Sequence, residues 1–242
     1  MKRVRQLLLI SSSKVHGHEY LQHTRKEIES FCNSNQILRI LFVPYAAKDH
    51  DAYTEKVATA LRGFGYETTG IHTYGDKSEA IKNAQCIFVG GGNTFLLLKT
   101  LYELNLVELI RERVTNGDLH YMGSSAGTNV ATKSIKTTND MPIVFPPTFD
   151  AIGLVPFNIN PHYLDADPNN KHQGETREDR LKEFHEQNVT PVLGLREGTA
   201  LLVDGDRAQL VGEFNGRLFR QNEKPEEIQP NTDLSFLLQW TD

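Results

Sequence analysis

Leu119-His120-Tyr121-Met122-Gly123-Ser124-Ser125-Ala126-Gly127-Thr128-Asn129-Val130-Ala131 carries an apolar strand straight into a Gly-Ser-Ser-Ala-Gly turn and out into a helical pattern. A serine on so sharp a strand-to-helix turn needs residues with almost no side chain two positions before and after it, where the chain doubles back. Gly123 and Gly127 stand in that relation to Ser125 and not to Ser124, so the register marks Ser125 as the candidate nucleophile. Such a turn lifts the hydroxyl above the end of a sheet and sets the backbone N–H of Ala126 beside it as half of an oxyanion hole. A capped helix whose glycines merely ease the turn is the competing reading.

Outward from this stretch, short continuous apolar runs alternate with amphipathic ones. Strands are expected at residues 6–10, 37–44, 67–72, 85–89 and 119–122, and helices at 19–32, 51–64, 78–82, 94–104 and 106–115. Runs without polar alternation mark strands buried on both faces, so the series predicts an α/β protein with a doubly wound, mostly parallel sheet in three layers. Beyond Ala131 the pattern loosens into polar turns and prolines. It then offers strands at 157–160 and 192–195, with a charged helix at 175–187 between them. Residues 200–203 and 208–211, turned by Asp204-Gly205-Asp206, predict an antiparallel hairpin edge. Asn215-Gly216 turns the chain again before 217–220. One catalytic domain over residues 1–242 is the expectation.

Composition narrows the partners. The formal net charge of -5, with both signs interspersed, offers no footprint for nucleic acid. No apolar run reaches membrane-spanning length. Cys32 and Cys86 form no disulfide framework, and no Cys/His cluster has metal-ligand spacing, which favours a reducing cytoplasm and a site without metal or cofactor. A small molecule is the expected partner. The oligomeric state is left open, a homodimer included.

Open α/β sheets bind ligands beyond the carboxyl ends of their strands. Gly90-Gly91-Gly92-Asn93-Thr94 follows such a strand, and Gly92 is the expected second oxyanion donor. The loop lacks the Lys-Ser/Thr of a phosphate-binding loop and the spacing of a dinucleotide fingerprint. A serine needs a general base, and His162 in Asn160-Pro161-His162-Tyr163 ends an apolar run at the right edge. His18, His23, His172 and His185 read as solvent-facing, and His72 and His120 as strand residues in the core. The imidazole in turn needs a carboxylate, for which Asp140 and Glu197 both qualify, each in a turn near a strand end.

Six segments together, Gly90–Thr94, Gly123–Gly127, Thr137-Thr138-Asn139-Asp140-Met141-Pro142, Ile159-Asn160-Pro161-His162, Gly174-Glu175-Thr176-Arg177 and Gly194-Leu195-Arg196-Glu197-Gly198, resemble the peptidase E family of cytosolic α-aspartyl dipeptidases, in order along nearly the whole chain. The resemblance implies a fold related to class I glutamine amidotransferases and hydrolysis of dipeptides with N-terminal aspartate. It makes Ser125 the nucleophile and His162 the base, and the family pattern permits either carboxylate. Asp140 is the expected third member, with Glu197 in reserve. Arg177 is expected to take the substrate's side-chain carboxylate, because a guanidinium offers paired donors in the geometry a carboxylate accepts. Asn93 and Glu175 complete the expected substrate-binding set, with Glu178 an alternative for the ammonium. Ser124 departs from the tryptophan of bacterial members, which leaves the subsite shape open. The alternatives are a cyanophycinase-like or other aspartyl-amide hydrolase using the same serine, and a non-catalytic binding protein.

Overall fold

The central strands take the two-sided burial that their apolar runs demand. In β1 (Gln6–Ile10), Leu7 and Leu9 enter one core layer while Leu8 and Ile10 enter the other. A computed structural model of the chain describes residues 4–167 and 174–241. After β1 come α1 (Arg25–Ser34), β2 (Arg39–Val43), α2 (His50–Arg62), β3 (Glu67–Gly70), α3 (Lys77–Asn83), β4 (Cys86–Val89), α4 (Thr94–Glu103), α5 (Leu106–Thr115), β5 (His120–Ser124) and α6 (Ala126–Val130). The second half adds β6 (Asn158–Pro161), α7 (Arg177–Gln187), β7 (Val192–Leu195), β8 (Thr199–Asp204), β9 (Arg207–Gly212), β10 (Gly216–Phe219) and β11 (Glu226–Ile228).

A seven-stranded sheet runs in the order β3-β2-β4-β5-β1-β8-β9. Its first five strands pair in parallel, and β8 and β9 close one edge as an antiparallel hairpin, as expected. Residues of α1 and α2 fill one core layer with Leu8, Ile10, Phe42 and Phe88; residues of α3, α4 and α5 fill the other with Leu7, Leu9, Leu41 and Val89. Each fully buried leucine contributes about 1.5–3 kcal/mol through removal of apolar surface from water.

The sequence pattern does not anticipate a second sheet, of order β11-β10-β7-β6, with β6 and β7 parallel. Leu193, Leu195, Leu218 and Ile228 seal one of its faces into the main core. The other meets α7 through Tyr163, Leu181, Val192 and Phe219. The segment expected at 217–220 becomes β10, but β11 is only Glu226-Glu227-Ile228, too short and too charged to read as an apolar run. Two expected elements are also shorter than their patterns. The helix at 19–32 begins only at Arg25, because buried Leu21 holds a left-handed backbone with φ 62°. The strand at 67–72 ends at Gly70, where Ile71–Thr73 takes a 3-10 turn. No helix among the described residues is long and apolar enough to cross a membrane.

Candidate active site

The Gly-Ser-Ser-Ala-Gly turn is as tight as its glycines imply. Ser125 stands between β5 and α6 with φ 55° and ψ -113°, a conformation that costs an L-residue on the order of 1–3 kcal/mol and persists only where the surroundings enforce it. A Cβ on Gly123 would lie 2.6 Å from the Gly127 carbonyl oxygen, and one on Gly127 would collide with the Val89 carbonyl at the end of β4. The Tyr121 hydroxyl donates to the Gly127 carbonyl at 2.6 Å, and the Ser125 N–H to that of Ile10 at 3.1 Å. Ser125 is half-buried and reaches solvent; Ser124 is fully buried and its hydroxyl has no partner among the described residues. The tryptophan-to-serine departure therefore lies beneath the site.

Gly91 packs on the serine so closely that a Cβ there would lie 2.9 Å from Ser125 Cβ. Around it the loop spends its amides on structure. Gly90 N–H donates to Val43 and Asn93 N–H to Ala46, and the Gly91 backbone bonds the Tyr53 hydroxyl. The amides of Gly92 and Ala126 have no acceptor among the described residues, as two oxyanion donors require.

His162 comes from the other sheet. Its Nε2 lies 2.8 Å from Ser125 Oγ and its Nδ1 lies 2.7 Å from Glu197 Oε1. A carboxylate only accepts, so Nδ1 carries the proton and Nε2 is free to accept the serine hydroxyl. Two register relations bring the three together. Asn129 Nδ2, on α6, donates to the Ile159 carbonyl at 2.9 Å and ties the serine's helix to β6. Parallel pairing sets Pro161 opposite Leu195, so His162, one residue past β6, meets Glu197, two residues past β7.

The expected Asp140–His162 contact is not formed, which corrects that reading. Asp140 Oδ2 accepts from Thr94 N–H at 2.8 Å and from Thr94 Oγ1 at 2.6 Å, at the start of α4. The reason lies in the preceding residues: Thr137 Oγ1 donates to Ile159, Asn139 Nδ2 to Pro161 and Asn160 Nδ2 back to Thr137 and Asn139. These bonds lay 137–139 along β6 and turn Asp140 toward the glycine loop.

Asp140 nevertheless lines the same cavity. This space of about 340 Å³ is bounded by Thr94, Ser125, Ala126, Thr138, Asn139, Asp140, Pro161, His162 and Arg177. It suits one small side chain with its α-amino group, at the low end of the usual range for ligand sites. A larger cavity of about 780 Å³ lies beside β2, β3 and α3 and touches none of these residues. Arg177, the first residue of α7, is half-buried and makes no ion pair or hydrogen bond among the described residues. Burial lowers its pKa, with Arg180 pushing the same way and Asp140 opposing.

The two other expected substrate contacts go elsewhere. Asn93 caps α4, accepting from Leu96 N–H at 3.0 Å and donating to the Met141 carbonyl at 2.8 Å, so both ends of its amide are engaged. Glu175 is exposed, lies outside the cavity lining and faces Arg180 at 3.7 Å. Glu178 pairs with Lys182 and Arg217, each at 2.8 Å. Among the histidines, His185 is buried rather than solvent-facing, its Nδ1 against the Asn188 carbonyl, and His172 lies outside the described residues.

The base side has ionic support beyond the expected residues. Arg196, next to Glu197, binds Asp165 through two 2.7 Å contacts and Glu227 at 2.8 and 3.0 Å, and Arg217 links Glu227 to Glu178 on α7. Its signal in the sequence is only a scatter of charges. Thr94 and Thr138, which cradle Asp140, lie inside the conspicuous segments and carry no mark of their partner.

The family model described as Peptidase family S51 matches residues 7–211. A Drosophila melanogaster protein named "Probable alpha-aspartyl dipeptidase" is 54% identical over 239 residues, 99% of this chain and 100% of its own. A Streptomyces coelicolor protein named "Peptidase E" is 53% identical over 96% of this chain and 94% of its own. Among solved structures, a peptidase from an acI-B1 Actinobacterium superposes with a TM-score of 0.71 at 18% identity, covering 97% of this chain and 98% of its own, a likeness of fold.

Proposed function

The chain belongs to peptidase family S51, and on that premise we propose that it hydrolyses dipeptides with an N-terminal α-aspartate through Ser125, His162 and Glu197. The observation that carries this reading is the unbroken chain of contacts from Ser125 Oγ through the imidazole to the Glu197 carboxylate. His162 Nε2 takes the Ser125 proton as the oxygen attacks the peptide carbonyl. The Gly92 and Ala126 amides receive the oxyanion, and the imidazolium, stabilised by Glu197, protonates the leaving amine. Water then enters by the same route and frees aspartate from the acyl-enzyme.

Specificity follows from the two charges in the cavity. Arg177, whose guanidinium is unpaired among the described residues, takes the substrate's side-chain carboxylate. Asp140, the carboxylate in the cavity wall, takes the free ammonium in place of Glu175. A charged hydrogen bond contributes about 1.5–3 kcal/mol, enough for about ten- to a hundredfold preference over an uncharged analogue. Two free, buried cysteines support a cytoplasmic setting. Hydrolysis of a panel of Asp-Leu, Asn-Leu, Glu-Leu and β-Asp-Leu tests the reading: Asp-Leu is cleaved fastest, and a β-Asp-Leu preference moves the chain to isopeptide chemistry.

A further inference from the structure

The triad residues come from three strands in two sheets, and all three segments are tied to the last turn of a fourth, β1. The Ile10 carbonyl accepts the Ser125 N–H at 3.1 Å and the Thr128 hydroxyl at 2.6 Å. Ser11, the next residue and fully buried, reaches the other two segments. Its Oγ accepts the backbone N–H of His162 at 2.9 Å and donates to the Leu195 carbonyl at 2.7 Å; its own N–H donates to Thr199 at 3.0 Å. Leu195 and Thr199 flank Glu197, so Ser11 grips both sides of the turn that carries the carboxylate.

His162 has φ 53°, a left-handed backbone that a residue with a Cβ rarely adopts. That conformation turns the imidazole back between Ser125 and Glu197, and something must hold it against relaxation. The Ser11 hydroxyl bonds the amide at that position. We propose that Ser11 is a positioning residue: its hydroxyl locks the His162 backbone and the Leu195–Thr199 turn together, and so sets the two hydrogen bonds of the imidazole. Donor and acceptor are both used, which no apolar or acceptor-only side chain reproduces. The inference rests on the triad reading above. Ser12 is the natural control: it too is buried, but among the described residues its hydroxyl bonds only the backbone of Lys14.

The test measures Asp-Leu hydrolysis and fluorophosphonate labelling in wild type, Ser11→Ala and Ser12→Ala, with thermal melts to establish folding. In folded Ser11→Ala, kcat and the labelling rate fall together by about a hundredfold, the cost of misplacing reacting groups by about 1 Å. KM stays within about threefold. Ser12→Ala stays within about threefold of wild type in both kcat and labelling rate. A folded Ser11→Ala with wild-type kcat and labelling rate overturns the inference while leaving the triad standing. If Ser125→Ala still hydrolyses Asp-Leu, the triad itself fails and takes this inference with it. Should Ser11→Ala not fold, Ser11→Thr and Ser11→Cys decide the matter. The hydroxyl variant retains kcat and the thiol, a weak partner of nearly the same size, loses it; a thiol variant as active as the hydroxyl one overturns the role.

Discussion

The nucleophile side of the site, hung on β4 and β5, is held by backbone pressed against backbone. The base side, hung on β6, β7 and α7, is held by side-chain hydrogen bonds and ion pairs. On the first side Gly123, Gly127 and Gly91 let chain segments approach within contacts that a Cβ would forbid. On the second, Thr137, Asn139, Asn160 and Arg196 bond segments that lie apart in the sequence. A steric device is written in neighbouring residues and tolerates almost no substitution, whereas a network of polar partners is written across the chain and loses strength bond by bond.

Four experiments press on that contrast. The largest effect belongs to Ser125→Ala, which should lower kcat on Asp-Leu by about a millionfold, the loss seen when the nucleophile of a serine protease is removed. Ser124→Ala, which deletes a buried hydroxyl with no partner among the described residues, should leave the rate within a few fold. A substantial rate in folded Ser125→Ala breaks the assignment of the two serines.

Next, Arg177→Met should lower kcat/KM for Asp-Leu by a factor corresponding to about 2–5 kcal/mol, the usual cost of truncating one partner of a buried charge pair. Asn-Leu, which offers no side-chain charge, should suffer far less, so the ratio of the two collapses. Equal losses on both substrates would place the side-chain partner elsewhere, with Arg180 the next to test.

Gly127→Ala probes the steric side. A methyl there meets the backbone of β4, which has no rotamer to yield, and overpacking of this kind costs about 1–3 kcal/mol or more. The melting midpoint should drop and Ser125 labelling should vanish with it. A stable, active variant would show that the turn has slack.

The smallest effect is expected at the ion-pair cluster. Arg196 holds Asp165 and Glu227 below the ordinary carboxylate range by direct hydrogen bonds. Depressed folded values mean that this stabilisation is present above the unfolded pKa, near 4, and is lost as pH falls through the folded values. Both carboxylates are partly exposed, so screening limits each pair to about 1 kcal/mol at most. Wild type should therefore lose melting temperature below about pH 4 more steeply than Arg196→Met, whose curve starts lower and is flatter. Parallel curves would mean that the cluster does not couple to folding.

What could be read in the sequence divides along the same line. The strand–turn–helix at Gly123–Gly127, the parallel series and the β8–β9 hairpin follow from local periodicity and from glycines at fixed offsets. His162 was legible because its strand end precedes it. Its carboxylate was not, because Asp140 and Glu197 each sit in a polar turn near a strand end, and only the pairing of Pro161 with Leu195 decides which one meets the imidazole. The same limit explains Asn93 and Glu175. Side chains beside a conspicuous motif serve as helix cap and surface ion pair as readily as substrate ligands, and nothing local separates those uses. The second sheet was not legible because its pairings were not: residues 157–160, 192–195 and 217–220 read as separate segments, β11 is three residues with two glutamates, and nothing local shows that β6 and β7 pair in parallel beside β10.

The rate at which a small neutral fluorophosphonate acylates Ser125, compared in Glu197→Gln and Asp140→Asn, separates the two carboxylates most directly. Such a probe uses the nucleophile and base but has neither the ammonium nor the side-chain carboxylate of a substrate. Glu197→Gln should slow labelling severely, approaching the ten-thousandfold loss found when a triad carboxylate becomes its amide. Asp140→Asn should label at nearly the wild-type rate while its hydrolysis of Asp-Leu falls. Fast labelling in Glu197→Gln together with slow labelling in Asp140→Asn would contradict the account and give the carboxylate's role to Asp140.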